Sequence, residues 1–204
     1  MIKHGRQGRA QAAGKGALDW LASLLNGRPR RLEDLRWRQR HSAPHELWLV
    51  IVDASASTRR HQGLAVAKGM LAQLFDDAYR QRARLALLTA SGETPKWQRH
   101  GLKASAALQP WLAALGAGGG TPLLAALQEA TQWLADRRRR FPGEVQRCLL
   151  MTDGRLKSIE GMQPIGCPTL LVDTERGGIR LGRGRQLALQ LHAHYQHVDE
   201  LPAR

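Results

Sequence analysis

The chain of 204 residues carries a formal net charge of +14, with 43% hydrophobic and 24% charged residues. This composition is typical of a globular protein with a full core, and it excludes wholesale disorder. No apolar run approaches the roughly 20 residues of a membrane span, and the basic N-terminus lacks the apolar region of a signal peptide. The two cysteines, without CxxC spacing, favour a reducing cytoplasmic location.

Residues 1–45 are predicted to be a basic N-terminal region. Residues 1–16 lack apolar periodicity, which predicts an unstructured tail. Apolar residues then recur at helical spacing and predict a helix from Gly16 to Leu25, ended by Asn26-Gly27. A basic connector, Arg28 to Pro44, completes the region.

Residues 46–204 alternate strand patterns with helix patterns and are predicted to be one α/β domain. The predicted strands are 47–53, 84–90, 95–100, 147–153, 168–173 and 195–198, and the predicted helices are 63–79, 105–115, 122–140 and 186–194. Uninterrupted apolar runs such as LWLVIVD indicate strands buried on both faces. The alternation implies right-handed crossovers, and therefore a doubly wound, mainly parallel, Rossmann-like sheet.

Three polar clusters fall at the carboxyl ends of predicted strands or at the start of a helix, where open α/β sheets bind ligands. They are Asp53-Ala54-Ser55-Ala56-Ser57, Gly118-Gly119-Gly120-Thr121-Pro122 and Thr152-Asp153-Gly154. Their two carboxylates and several hydroxyls are hard oxygen donors of the kind that Mg²⁺, or alternatively Mn²⁺, prefers. The candidate metal ligands are Asp53, Ser55, Ser57, Thr121 and Asp153. An incoming acidic side chain could complete the coordination.

This ligand pattern resembles the metal-ion-dependent adhesion site of von Willebrand factor A (VWA) domains, in which DxSxS is followed by a distant Thr and a distant Asp. The segments VDASAS, GGGTPL, LLMTDGR and VDTE also resemble the C-terminal domain of the D subunit of magnesium chelatases and related cobaltochelatases. Ala56 and Thr58 replace the Gly and Met of the family's usual DASGSM. Neither position supplies a ligand.

The resemblance implies a non-catalytic adaptor subunit of an ATP-dependent chelatase that inserts cobalt or magnesium in tetrapyrrole or cobalamin synthesis. Its metal would dock an acidic side chain of an AAA+ ATPase of the chelatase I type, and a large cobaltochelatase subunit is a further expected partner. These residues contain neither the AAA+-like module nor the acidic linker common in D subunits, so a short D-type chain is expected. No nucleotide site is expected, because GxxxxGK[ST] is absent. No nucleophilic triad or dyad suggests a catalytic residue.

The sequence leaves two other functions open. The chain could be a VWA partner of a MoxR-type AAA+ ATPase that matures another metalloenzyme. It could also bind nucleic acid through its positive charge. That charge, however, is concentrated in Arg28–Arg40 and in Arg137–Arg140. The second of these runs is expected to be a solvated helix end. His192, His194 and His197 are expected to be polar surface residues.

Overall fold

A six-stranded sheet lies in the second of the two units into which the chain divides, residues 1–44 and 45–204. The computed structural model describes residues 17–18, 20–25, 27–38, 45–54, 63–103, 122–156, 158–176 and 181–201. Its strands are β1 (Ala17–Leu18), β2 (Trp37–Arg38), β3 (Glu46–Asp53), β4 (Arg84–Ala90), β5 (Lys96–Lys103), β6 (Val145–Thr152), β7 (Thr169–Asp173) and β8 (His194–His197). Its α-helices are α1 (Trp20–Leu25), α2 (Gly63–Arg80), α3 (Leu123–Arg140) and α4 (Arg183–Gln190).

The strand order in the sheet is β5-β4-β3-β6-β7-β8, and among the described strands of this sheet only β5 is antiparallel. From β3 the chain builds outward through β4 and β5 on one side, and then returns to build β6, β7 and β8 on the other. The strand order therefore reverses between β3 and β6. Ligands bind open α/β sheets outside the carboxyl ends of the strands at such a reversal. The predicted doubly wound, mainly parallel architecture is confirmed.

Both faces of the sheet are covered by helices, so its central strands are apolar on both sides. On one face the core includes Leu49 and Ile51 of β3 together with Leu127 of α3 and Leu187 of α4. On the opposite face Val50 of β3 packs in a second core with the buried residues of α2. This two-sided burial explains the uninterrupted apolar run of β3, and it holds the strand ends at a fixed edge.

Residues 17–38 of the first unit contain a small antiparallel pairing of β1 with β2. Ser23 of α1 accepts a hydrogen bond of 2.8 Å from the backbone N–H of Arg36. The carboxylate of Asp34 accepts from the N–H groups of Arg30 and Arg31, and these bonds lower its pKa. The predicted helix from Gly16 is wrong at its start, because Ala17 and Leu18 are extended and pair with β2.

The elements predicted for residues 46–204 are present wherever the structure describes them, with shifted ends. The largest shift is in α4, which was expected at 186–194 and spans Arg183–Gln190. It ends early because His192 adopts a left-handed conformation with φ of 52° and Ala193 bonds back to Ala188. The predicted helix at 105–115 and the predicted tail at 1–16 lie outside the described residues.

The end of α3 differs from the predicted solvated arginine run. Arg137 is mostly buried, pairs with Glu144 at 2.6 Å, and lies over the rings of Trp133 and Phe141. Arg138 donates a hydrogen bond to the carbonyl of Gly166. Since these side chains fasten the helix end to its surroundings, only the exposed remainder of the run matches the expectation.

Candidate metal site

Two buried carboxylates lie at the ends of the neighbouring strands β3 and β6. Asp53 is the last residue of β3, and Asp153 directly follows β6. The two strands are parallel and pair Val52 with Met151, so their ends meet at the strand-order reversal. Asp53 is 2% exposed and Asp153 is 5% exposed. The sheet therefore brings these two predicted ligands to one edge.

Thr152 links the two strand ends. Its hydroxyl donates a 2.7 Å hydrogen bond to Oδ2 of Asp53 and accepts a 3.0 Å bond from the N–H of Gly154. Because Thr152 is fully buried, this bond fixes the orientation of the Asp53 carboxylate. This role could not be predicted from the sequence, because it depends on a contact across 99 positions of the chain.

The loop after β6 holds Asp153 and leaves no room for a side chain at Gly154. The N–H of Arg155 donates to Oδ1 of Asp153 at 3.1 Å. Gly154 has a φ of +65°, and a Cβ built on it would lie 2.6 Å from the backbone nitrogen of Gly184 in α4. Glycine is needed here both for the left-handed backbone and for the close approach of the helix.

The described residues test only part of the predicted ligand set. Ser55, Ser57 and Thr121 lie outside them, while Pro122 stands at the start of α3. Within the described ranges, no group of three or more His, Cys, Asp or Glu side chains is arranged to hold a metal. The predicted site has two carboxylates, and hydroxyls complete its donor set, so this finding does not conflict with it.

The burial of Asp53 and Asp153 fits a hard cation. Removing two carboxylates from water at adjoining strand ends is costly unless positive charge or donors accompany them. Carboxylate and hydroxyl oxygens are the donors that Mg²⁺ and Mn²⁺ accept. The residues present therefore fit a divalent ion in their chemistry and in their burial.

A second acidic cluster lies at the same edge, at the end of β7. Asp173 and Glu175 are each 2% exposed. Oδ1 of Asp173 accepts from the N–H of Glu175 at 2.8 Å, and Oδ2 accepts from the hydroxyl of Tyr195 at 2.9 Å. Burial and the contact with Asp173 raise the pKa of Tyr195 to about 12. The phenol is therefore held as a neutral donor.

Glu175 is held by donors from the loop before α4. Its carboxylate accepts from the N–H groups of Leu181 and Gly182, at distances between 3.0 and 3.3 Å. Nε of Arg155 lies 3.5 Å from Oε1 of Glu175. Arg155 therefore contacts Asp153 through its backbone N–H and Glu175 through its side chain.

His197 contradicts the expected surface position. It is 4% exposed, its Nδ1 accepts from the N–H of Asp199, and its Nε2 lies 3.0 Å from the carbonyl oxygen of Glu175. Because Nδ1 is an acceptor, Nε2 carries the proton and donates to that carbonyl. The ring therefore helps to fix the end of β7. His192 and His194 are exposed, as expected.

The fold and the acidic strand ends place the protein among the open α/β domains, which bind ligands at the carboxyl ends of the strands where the strand order reverses. A profile of the von Willebrand factor type A domain matches residues 48–155, more than half of the chain. The chain belongs to this family. The profile spans Asp53, Ser55, Ser57, Thr121 and Asp153, the five predicted metal ligands.

Three curated relatives are between 25% and 27% identical to this chain. An uncharacterized protein of Mycobacterium tuberculosis is 27% identical over 84% of this chain and 29% of its own length. The magnesium-chelatase 67 kDa subunit of Chlorobaculum tepidum is 26% identical over 96% of this chain and 34% of its own. The corresponding subunit of Chlorobaculum parvum is 25% identical over 84% and 31%. The chain spans about a third of the length of these relatives.

Solved structures share the fold. The manganese-loaded TRAP protein of Plasmodium vivax has a TM-score of 0.60 at 20% identity, covering 77% of this chain and 70% of that one. The mussel proximal thread matrix protein 1 with a zinc-occupied adhesion site has a TM-score of 0.55 at 16% identity, covering 77% and 43%. At these identities the comparison establishes the fold alone. No helix in the described part of the chain is long and apolar enough to cross a membrane.

Proposed function

We propose that this chain is a metal-dependent docking subunit of an ATP-dependent chelatase that inserts cobalt or magnesium in tetrapyrrole or cobalamin synthesis. The observation that carries the proposal is the pair of buried carboxylates, Asp53 and Asp153, at the strand-order reversal of a VWA domain. The match to two magnesium-chelatase subunits, over 96% and 84% of this chain, supports the chelatase assignment.

The proposed metal ligands are Asp53, Ser55, Ser57, Thr121 and Asp153, and the proposed ion is Mg²⁺. The manganese and zinc named for two proteins of this fold support a divalent ion of this kind. When bound, the ion supplies positive charge and a coordination position for a carboxylate of the partner. Thr152 orients Asp53 for this role, and the N–H of Arg155 holds Asp153.

The proposed partner is an AAA+ ATPase of the chelatase I type, and a large cobaltochelatase subunit is a second one. ATP hydrolysis and metal insertion would then take place on those chains, with residues 46–204 as the docking domain. Residues 1–45 would extend the contact, since Arg28, Arg30, Arg31 and Arg36 are exposed and favour an acidic surface. Cys148 and Cys167 are free thiols, which fits the proposed cytoplasmic location.

A pull-down with the candidate AAA+ subunit tests the proposal. We expect the wild-type chain to bind in Mg²⁺ and to lose at least about ten-fold in affinity when the metal is chelated or when Asp53 is replaced by alanine. Asp136→Ala is the matched control, because it removes a half-exposed carboxylate of α3 that pairs with Arg139 on the surface. Circular dichroism should show both variants folded.

A titration with the metal alone separates the ion from the partner. We expect calorimetry to detect Mg²⁺ or Mn²⁺ binding to the wild type and to Asp136→Ala but not to Asp53→Ala. Unchanged assembly by folded Asp53→Ala, or assembly that chelation does not affect, would contradict metal-dependent docking.

A further inference from the structure

At the carboxyl edge of the sheet, the negative side chains of the strand ends are buried and several positive side chains are exposed. The four carboxylates that follow or end the strands are at most 5% exposed: Asp53, Asp153, Asp173 and Glu175. Among the described residues, three exposed arginines lie at the same edge, and together they are called the arginine rim: Arg155, Arg183 and Arg185. In the described part of this edge, exposed positive side chains therefore lie above buried carboxylates.

Each rim side chain is held in place by a described contact. Nε of Arg155 lies 3.5 Å from Glu175, and the side chain of Arg155 remains 32% exposed. Arg183 donates a hydrogen bond to the carbonyl of Leu156, in the loop that follows β6. The guanidinium of Arg185 lies 5.0 Å from the ring centre of Tyr195. Fixed guanidinium groups lose less conformational entropy when they bind a carboxylate.

Glu175 positions Arg155 without depending on it. The backbone N–H groups of Leu181 and Gly182 already donate to both oxygens of the Glu175 carboxylate. The contact from Arg155 is long and uses Nε, the inner nitrogen of the guanidinium. An incoming carboxylate can therefore bind at the outer nitrogens while Glu175 stays satisfied.

We propose that the arginine rim binds additional acidic side chains of the same partner segment whose carboxylate docks at the metal. This inference rests on the proposed function. Arg155 stands two residues after Asp153, so a single loop serves both the metal site and the rim. The partner segment would accordingly carry several acidic residues in sequence.

An acidic peptide suits this surface better than nucleic acid does. The rim consists of three separate arginines, which are too few to follow a continuous line of phosphates, whereas each guanidinium can pair with one carboxylate. Beside it, Arg176 is paired with Asp199, and Glu200 is exposed. Among the residues that the structure describes at this edge, the positive charge available to a partner is therefore confined to the rim.

Two synthetic peptides on a Gly–Ser backbone test the proposal against the full chain in Mg²⁺. One carries a single glutamate, and the other carries the same glutamate flanked by two aspartates. Fluorescence anisotropy should show that the wild type prefers the triacidic peptide by about ten-fold. Arg155→Gln should reduce this preference about five-fold. Arg185→Gln, whose side chain contacts Tyr195 and, among the described residues, no proposed metal ligand, should reduce it while leaving binding of the single-glutamate peptide unchanged. Arg185→Gln is a second rim variant in case the first does not fold.

The matched control is Arg139→Gln, which removes an exposed arginine from the last turn of α3, away from the carboxyl edge. It should change neither affinity. The proposal is overturned if the triacidic peptide does not bind or is not preferred, or if folded Arg155→Gln keeps the preference. It is also overturned if a short DNA duplex binds more tightly with the same dependence on Arg155. Failure of metal docking would give a different result. Chelation and Asp53→Ala would then leave binding of the single-glutamate peptide unchanged, while the chain would still prefer the triacidic peptide.

Discussion

Two acidic clusters at the same edge of the sheet have different surroundings. At the end of β7, every carboxylate oxygen of Asp173 and Glu175 accepts a hydrogen bond from the protein, supplied by loop N–H groups and by Tyr195. At the ends of β3 and β6, the contacts of Asp53 and Asp153 include one threonine hydroxyl and one loop amide. The protein's own donors satisfy the β7 cluster, whereas the β3/β6 pair supplies two ligands of the proposed metal site.

The sequence patterns of the two clusters are similar, since each is an apolar strand that ends in aspartate. The packing at the end of β7 explains why its carboxylates are satisfied. At β7 the start of α4 lies so close that a Cβ on Gly184 would overlap Asp173. A carboxylate covered in this way is satisfied by its neighbours. Its function then depends on long-range packing rather than on the local motif.

The two clusters touch at Gly154, so an added methyl group there should disturb both. Gly154→Ala would force a left-handed alanine against the backbone of Gly184, 2.6 Å away. We expect a loss of about 3 kcal/mol in the free energy of unfolding, measured by urea denaturation. Gly69→Ala is the control, because its Cβ would meet open space on α2 and should stabilise by up to about 1 kcal/mol. An equally stable Gly154→Ala would mean that this contact is not tight.

Glu175→Gln should separate the two clusters by their roles. The amide would turn a donor toward the N–H groups of Leu181 and Gly182 and would lose the charge that faces Arg155. We expect a cost of about 2 kcal/mol in urea denaturation, with Mg²⁺ affinity unchanged in calorimetry. Asp153→Asn should do the opposite, with lost metal binding and a smaller effect on stability. Metal binding abolished in folded Glu175→Gln would remove the distinction between the clusters.

Much of the fold could be predicted because its signals are local. Apolar runs such as that of β3 need no partner to be recognised, and the helices show their own periodicity. The boundaries of α4 could not be predicted in this way. They depend on the left-handed backbone of His192 and on the approach of Gly184 to Asp173. These constraints come from packing between distant segments.

The candidate site could be predicted only in part for the same reason. Asp53 and Asp153 stand out because each follows an apolar strand. Thr152 stands beside Asp153 in the motif, and nothing local indicates that its hydroxyl reaches Asp53. Tyr195 lies 22 positions from Asp173, and its sequence context predicts only that it belongs to a strand. Contacts of this kind follow from strand order, which brings residues together only after the sheet has formed.

Removing the hydroxyl of Tyr195 should weaken the β7 cluster slightly and leave the β3/β6 pair unchanged. Tyr195→Phe loses the 2.9 Å hydrogen bond to Asp173 and nothing else of similar strength. We expect a loss of about 1 kcal/mol in urea denaturation at pH 8. Tyr79→Phe is the matched control, since Tyr79 is 66% exposed on α2 and should give no measurable change.

The same variant should change how stability depends on alkaline pH. The pKa of Tyr195 in the folded chain is raised to about 12, first by burial and then by Asp173, whereas an unfolded tyrosine has a pKa of about 10. Between these values the unfolded chain releases the proton and the folded chain keeps it, so this contribution to stability is lost as pH rises. The advantage of the wild type over Tyr195→Phe should therefore shrink from about pH 10 to about pH 12. A constant difference across this range would show that Asp173 holds the phenol no more tightly than water does.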